Sequence, residues 1–253
     1  MPENTSTTRF EQTTELTAES PTLIEGLPGL GMVASIAVDQ ITTQLQLAQH
    51  GKIVSDDFPP VAAFNDGRVR DAVRVYAGED PAIMTLQSDL PIPPTAVESL
   101  RQCVLNDLAE EFSRAVLLAG SPAEAEENVG DVVGVATTDE LENELRDAGI
   151  TLAEGSGVIG GVTGALLAEC YHGGVPAAIL IVQSNPYIPD PAAARAVIEN
   201  ALEPLVKFDI DTQELLEQAE EIRRQKQQVA EQLRQYQQQQ REQEQPQTPS
   251  MYQ

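Results

Sequence analysis

The stretch Thr22-Leu-Ile-Glu-Gly-Leu-Pro-Gly-Leu-Gly31, followed by Met32-Val-Ala-Ser-Ile-Ala-Val-Asp-Gln-Ile41, decides how the rest of the chain is read. A short apolar run stops at Gly26 and a Pro/Gly turn follows. Apolar residues then recur at helical spacing through Val33, Ile36, Ala37, Ile41 and Leu45. The pattern predicts strand, tight turn and helix. Gly29 and Gly31 allow positive φ or a close backbone approach, and the same geometry can aim helix N–H groups at an anion. Two readings follow, a phosphate loop or the first turn of an α/β fold. No Lys-Ser/Thr pair follows the glycines, which favours the second.

Working outward, 253 residues with 41% apolar content suffice for one large core. Forty Asp and Glu against fifteen Lys and Arg give a formal charge of −25. So few cations argue against nucleic acid and against an anionic membrane surface as partners. The acidity runs along the whole chain, as expected of a surface adapted to high salt, where self-repulsion is screened. Cys103 and Cys170 each sit in an apolar helical pattern, and no signal peptide or membrane-spanning apolar run is evident. The expectation is a soluble, cytoplasmic, halophilic protein. Cys170-Tyr-His172 hints at a metal, but His50 is the only other histidine, so a closed zinc site is not available and no metal or cofactor is expected.

Residues 1–20 are rich in Thr and Glu and read as a mobile start with an edge strand near Phe10. Residues 60–64 and 69–76 flank Asn65-Asp-Gly67, the pattern of a hairpin. A strand over 82–86 leads to a helix over 95–112 with Val97, Leu100, Val104, Leu105 and Leu108 inward. Strand, strand, helix and strand follow over 115–119, 132–136, 139–148 and 150–152. This alternation predicts a single α/β domain over 21–211 with a mostly parallel central sheet flanked by helices.

Gly155, Gly157 and Gly160 form a Gly-x-Gly-x-x-Gly string before a helix over 165–171. A dinucleotide site also needs an acid at the tip of the following strand. Residues 177–182 run instead into Gln183-Ser-Asn185. Close packing explains the glycines equally well. Asp190 is placed to cap a helix over 191–205 with Pro191 at its first position. Glu169 and Asp190 suggest an acid/base pair only if something brings them together, and no catalytic residue is assigned.

After Asp211 the composition changes. Leu215, Ala219, Ile222, Lys226, Val229, Leu233 and Tyr236 recur at steps of four and three among Glu, Gln and Arg, a heptad seam over 212–244. Leu215, Ala219, Ile222, Val229 and Leu233 are therefore expected to join copies into a homo-oligomer, the alternative being a helix folded back on its own domain. Residues 245–253 carry Pro246 and Pro249 and read as an extended tail ending Met251-Tyr252-Gln253. An aromatic, a hydroxyl and a carboxylate at such a tip make a compact ligand.

The blocks Leu23-Ile-Glu-Gly-Leu-Pro-Gly-Leu-Gly-Met-Val33, Gly157-Val-Ile-Gly-Gly-Val-Thr-Gly164 and Pro186-Tyr-Ile-Pro-Asp-Pro191 resemble the archaeal proteasome assembly chaperone family. The resemblance implies a non-catalytic, phosphorylase/hydrolase-like domain that forms homo-oligomers. It also implies a partner, the proteasome core particle, whose α-subunit pockets take hydrophobic-Tyr-any carboxyl termini that Met251, Tyr252 and Gln253 match. Two rivals stay open: a phosphate- or nucleoside-binding enzyme of phosphorylase-like fold, and a coiled-coil protein with a non-proteasomal partner.

Overall fold

Unbroken apolar runs such as Ala115-Val-Leu-Leu118 and Ala177-Ala-Ile-Leu180 offer no polar face, so their strands need cover on both sides. The computed structural model describes residues 8–225 and residue 228. In chain order the strands are β1 (Arg9–Gln12), β2 (Thr22–Gly26), β3 (Ala48–Val54), β4 (Ala63–Asn65), β5 (Arg68–Arg70), β6 (Val73–Glu79), β7 (Ala82–Ser88), β8 (Arg114–Pro122), β9 (Val132–Ala136), β10 (Thr151–Leu152) and β11 (Ala177–Ser184). Nine of them form one sheet in the order β1-β3-β6-β7-β2-β8-β11-β9-β10, and β4 and β5 pair apart from it.

The four central strands, β7, β2, β8 and β11, run parallel. Their neighbours do not. β6 is antiparallel to β7, β3 to β6, β1 to β3, and β9 to β11. The expected mostly parallel sheet is thus corrected to a mixed one: period-two and continuous apolar patterns report which faces are buried, not which way a neighbour runs. The edge strand near Phe10 is β1, and its partner β3 was not foreseen, because Ala48-Gln-His-Gly51 is polar.

The hairpin prediction holds in part. Its turn joins β4 to β5 with Phe64 opposite Val69, but residues 73–76 belong to β6 in the main sheet rather than to the hairpin.

Helices cover both faces. α1 (Val33–Gln44), α3 (Asp139–Asp147), α5 (Pro191–Val197) and α6 (Glu203–Val206) pack on one side with Ile24, Val116 and Leu180. α2 (Pro94–Cys103) and α4 (Gly161–Gly173) pack on the other with Leu23, Leu117 and Ile179. Alternate residues of β2, β8 and β11 feed the two cores, as the pleat requires. The helix expected over 95–112 is α2 followed by a wider π-turn over Val104–Leu108; Leu100, Val104 and Leu108 are buried, and Val97 and Leu105 only partly so. Asp190 caps α5 by accepting from the Ala193 amide at 3.1 Å, with Pro191 at the first position. A further helix spans 213–225.

Candidate functional site

In open α/β sheets the carboxyl ends of parallel strands form the rim where ligands and partners gather, above all where connections leave to opposite sides. Here that point lies between β2 and β8: the chain from β2 passes over α1 out to β3 and returns through β6 to β7, and from β7 it crosses over α2 to β8. Their pairing stops at Ile24 opposite Val116, leaving the next stretch of β8 without a β2 partner.

Glu25 fills the gap. Its side chain is fully buried, and it accepts from the Leu27 amide at 2.8 Å, the Leu118 amide at 3.4 Å and the Thr163 hydroxyl at 3.3 Å. Burial pushes its carboxyl up to about 7, against the lowering effect of those donors. The residue thus ties the first turn, β8 and the first turn of α4 together. Sequence reasoning missed it, although a lone acid inside the apolar run Leu23-Ile-Glu was the available sign.

The first turn is clamped against the strands. Gly31 has φ +64°, its carbonyl accepts from the Asp190 amide at 2.9 Å, and a Cβ there would lie 2.8 Å from Ser184 Oγ. A Cβ on Gly120 would lie 2.2 Å from the Leu30 carbonyl oxygen. Met32 follows, also left-handed at φ +51° and exposed. These contacts support the fold-turn reading of the glycines over the phosphate loop. The second string, at Gly155, Gly157 and Gly160, has open space around each position. It leaves a two-residue edge strand, and the first turn of its helix is already engaged with Glu25, so it lacks the setting of a dinucleotide site.

Two grooves flank the first turn along the rim. One, of about 730 Å³, lies between Gly26–Gly29, α1 and the ends of β6 and β7. At its edge Asp89 holds both Arg70 and Arg74, with Arg70 Nη2 at 2.6 Å. Burial raises the Asp89 carboxyl, but the two guanidiniums outweigh it and hold it below its ordinary range. The other groove, of about 510 Å³, lies between residues 123–129, residues 184–192 and the 213–225 helix. Of the seven large apolar side chains exposed among the described residues, five sit on the rim or on the hairpin rising from it: Met32, Val61, Phe64, Val69 and Tyr187. Phe64 and Val69, opposite one another on the hairpin, form an exposed apolar pair that suits a partner surface more than a catalytic one.

The seam residues are divided. Leu215 is 2% exposed and belongs to the α1-side core, covered by its own domain. Ala219 and Ile222 face the smaller groove, which matches the folded-back alternative for this part of the helix. Val229, Leu233, Met251, Tyr252 and Gln253 lie outside the described residues. Glu169 pairs with Arg101 and Asp190 caps α5, so those two carboxylates serve separate purposes. Cys103 and Cys170 are buried; burial raises both thiols, Cys170 to about 11. Among the described residues no three His, Cys, Asp or Glu are grouped to hold a metal, and no helix is long and apolar enough to cross a membrane.

Comparison with known proteins accounts for nearly all of this architecture. The model of the PAC2 family matches residues 23–230. An uncharacterized protein of Methanocaldococcus jannaschii is 28% identical over 218 residues, covering 86% of this chain and 88% of that protein. The crystal structure of Pyrococcus furiosus PbaA, described as an archaeal homolog of proteasome-assembly chaperone, superposes with TM-score 0.79 at 26% identity, over 93% of this chain and 97% of that one. Pyrococcus furiosus PbaB, described as an archaeal proteasome activator, gives TM-score 0.79 at 21% identity over 88% and 98%, a likeness of fold.

Proposed function

This chain belongs to the PAC2 family, and from that premise we propose that it is a non-catalytic, homo-oligomeric proteasome assembly chaperone or cap that works in the cytoplasm. The observation that carries the reading is the near-complete overlap with PbaA. The same domain, with little added or missing, is described there as a homolog of a proteasome-assembly chaperone. The rim supports a binding role, since it offers exposed apolar side chains.

The partner is the α-ring of the proteasome core particle. In this reading the domain of residues 21–211 is a platform, residues 212–244 continue as a helix that holds copies together beyond Ile222 through Val229 and Leu233, and residues 245–253 carry Met251, Tyr252 and Gln253 into pockets between α-subunits. Several arms on one oligomer bind by avidity even where each is weak. The test is co-purification of core-particle subunits with the full chain and with one ending at Ser250. The shortened chain is expected to keep its oligomeric mass and lose the core particle; undiminished co-purification would overturn the docking role of the tail.

The charge of −25 belongs to the same picture as an adaptation to a salt-rich cytoplasm. A melting temperature that rises from low to molar KCl is the expected result. A flat or falling curve would remove that part of the reading.

A further inference from the structure

The β4–β5 hairpin is a two-stranded sheet outside both cores, with Phe64 and Val69 opposite one another and 73% and 79% exposed. Such a hairpin is marginal alone in water and gains from cover on its apolar face. It is nonetheless firmly rooted, since Asp89 binds Arg70 in β5 and Arg74 in β6. Arg68 in the same strand is one of three cations among the described residues without an ion pair; the others are Lys207 and Arg223. The hairpin therefore presents two bare apolar side chains on one face and, on the other face next to the turn, a free guanidinium.

Its complement lies on the same rim. The groove between residues 123–129, 184–192 and the 213–225 helix has apolar walls at Val129, Ile188 and Ile222, with Glu124 and Glu126 along one edge and Arg223 on the helix opposite. Among the described residues neither Glu124 nor Glu126 has an ion-pair partner. The chain cannot satisfy its own groove: the hairpin rises beside β6 and the groove opens beyond β11, four strand steps away in the sheet, or about 19 Å.

We propose that the hairpin of one copy seats Phe64 and Val69 in this groove of a second copy, with Arg68, on the outward face beside the turn, reaching round the hairpin's end to Glu124 and Glu126 on the groove's edge. Because both features stand on one rim, a two-fold axis lets the contact be made twice, each hairpin entering the other's groove. In a chain of charge −25, another copy is a ready source of carboxylates for a free arginine. The inference rests on the self-association in the reading above and supplies a surface for it.

Sedimentation of the full chain tests it by charge exchange. Arg68→Glu alone, or Glu124→Arg with Glu126→Arg, is expected to weaken self-association tenfold or more, and combining the three is expected to restore it to within about threefold. A second arm uses Phe64→Cys with Ile188→Cys, which should crosslink between copies under mild oxidation, the native thiols being buried. An oligomer indifferent to the exchanges and without crosslinks overturns the hairpin assignment but leaves tail docking standing. A chain that is monomeric before any substitution overturns both the surface and the self-association it rests on. Loss of core-particle binding on removal of Met251–Gln253 alone concerns only the tail.

Discussion

The two glycine-rich turns look alike in sequence and serve opposite ends. Around Gly26–Gly31 every close neighbour is another part of the fold: Val38 Cβ would stand 2.5 Å from a Cβ at Gly26, and Ser184 and Asn185 crowd Gly31. Around Gly155–Gly161 there is open space. In the first turn Gly26 and Gly31 are required because Val38, Ser184 and Asn185 leave no room for a side chain, while Gly29 is open; in the second glycine is required, if at all, by backbone angle alone, as at Gly155 with φ +75°. The lesson is that a glycine string is not a ligand signature until its surroundings are known. Here Glu25 joins the first turn, through the Leu27 amide, to the helix that follows the second, through the Thr163 hydroxyl.

The contrast is most severely tested at Gly120, the strand residue beneath the first turn. Gly120→Ala forces a Cβ against the Leu30 carbonyl and should cost about 3 kcal/mol or more. Urea denaturation measures it; a small loss would show that the first turn is not held against β8.

Next comes Glu25. Its folded value, about 7, lies above the ordinary 4.5, so the folded chain binds the proton more tightly. The stability this provides is complete below pH 4.5 and is lost as pH rises through 7. Glu25→Gln removes that dependence. The unfolding free energy of the variant relative to wild type should therefore rise by about 2 kcal/mol from about pH 5.5 to about pH 8. Parallel pH profiles would mean that Glu25 does not titrate in this range.

Gly31→Ala combines a left-handed angle with contacts to Ser184 and should cost about 1 to 2 kcal/mol. Gly157→Ala in the second turn meets nothing within 4 Å, and its stability should stay within about 0.5 kcal/mol of wild type. If Gly157→Ala proved as damaging as Gly31→Ala, the distinction between the two turns would collapse.

Several features were legible before any coordinates. The run Thr22–Gly26 with its Pro/Gly turn, the Asn65-Asp-Gly67 corner and the Asp190-Pro191 cap are local, each specified by residues that touch within one turn of chain. The matching blocks at 23–33, 157–164 and 186–191 pointed to the right family because Gly26, Gly31 and Gly164 and the Asp190 cap stand where strand, turn and helix pack closely. Less of the rim was legible. Glu25 read as one acid in an apolar strand, and the exposed Phe64 and Val69 read as ordinary strand residues, since nothing local distinguishes a buried face from a bare one.

By itself, then, the sequence determined most of the elements, with their turns and caps, and the acidity of the chain, all of which follow from short-range periodicity and composition. Tertiary structure alone decided that β1, β6 and β9 run against the central strands, that Glu25 is sealed in the gap between β2 and β8, and that Leu215 belongs to its own domain's core. The physical reason is common to all three. A pattern along the chain says how much of a face must be covered, while the identity and direction of what covers it come from segments tens of residues away.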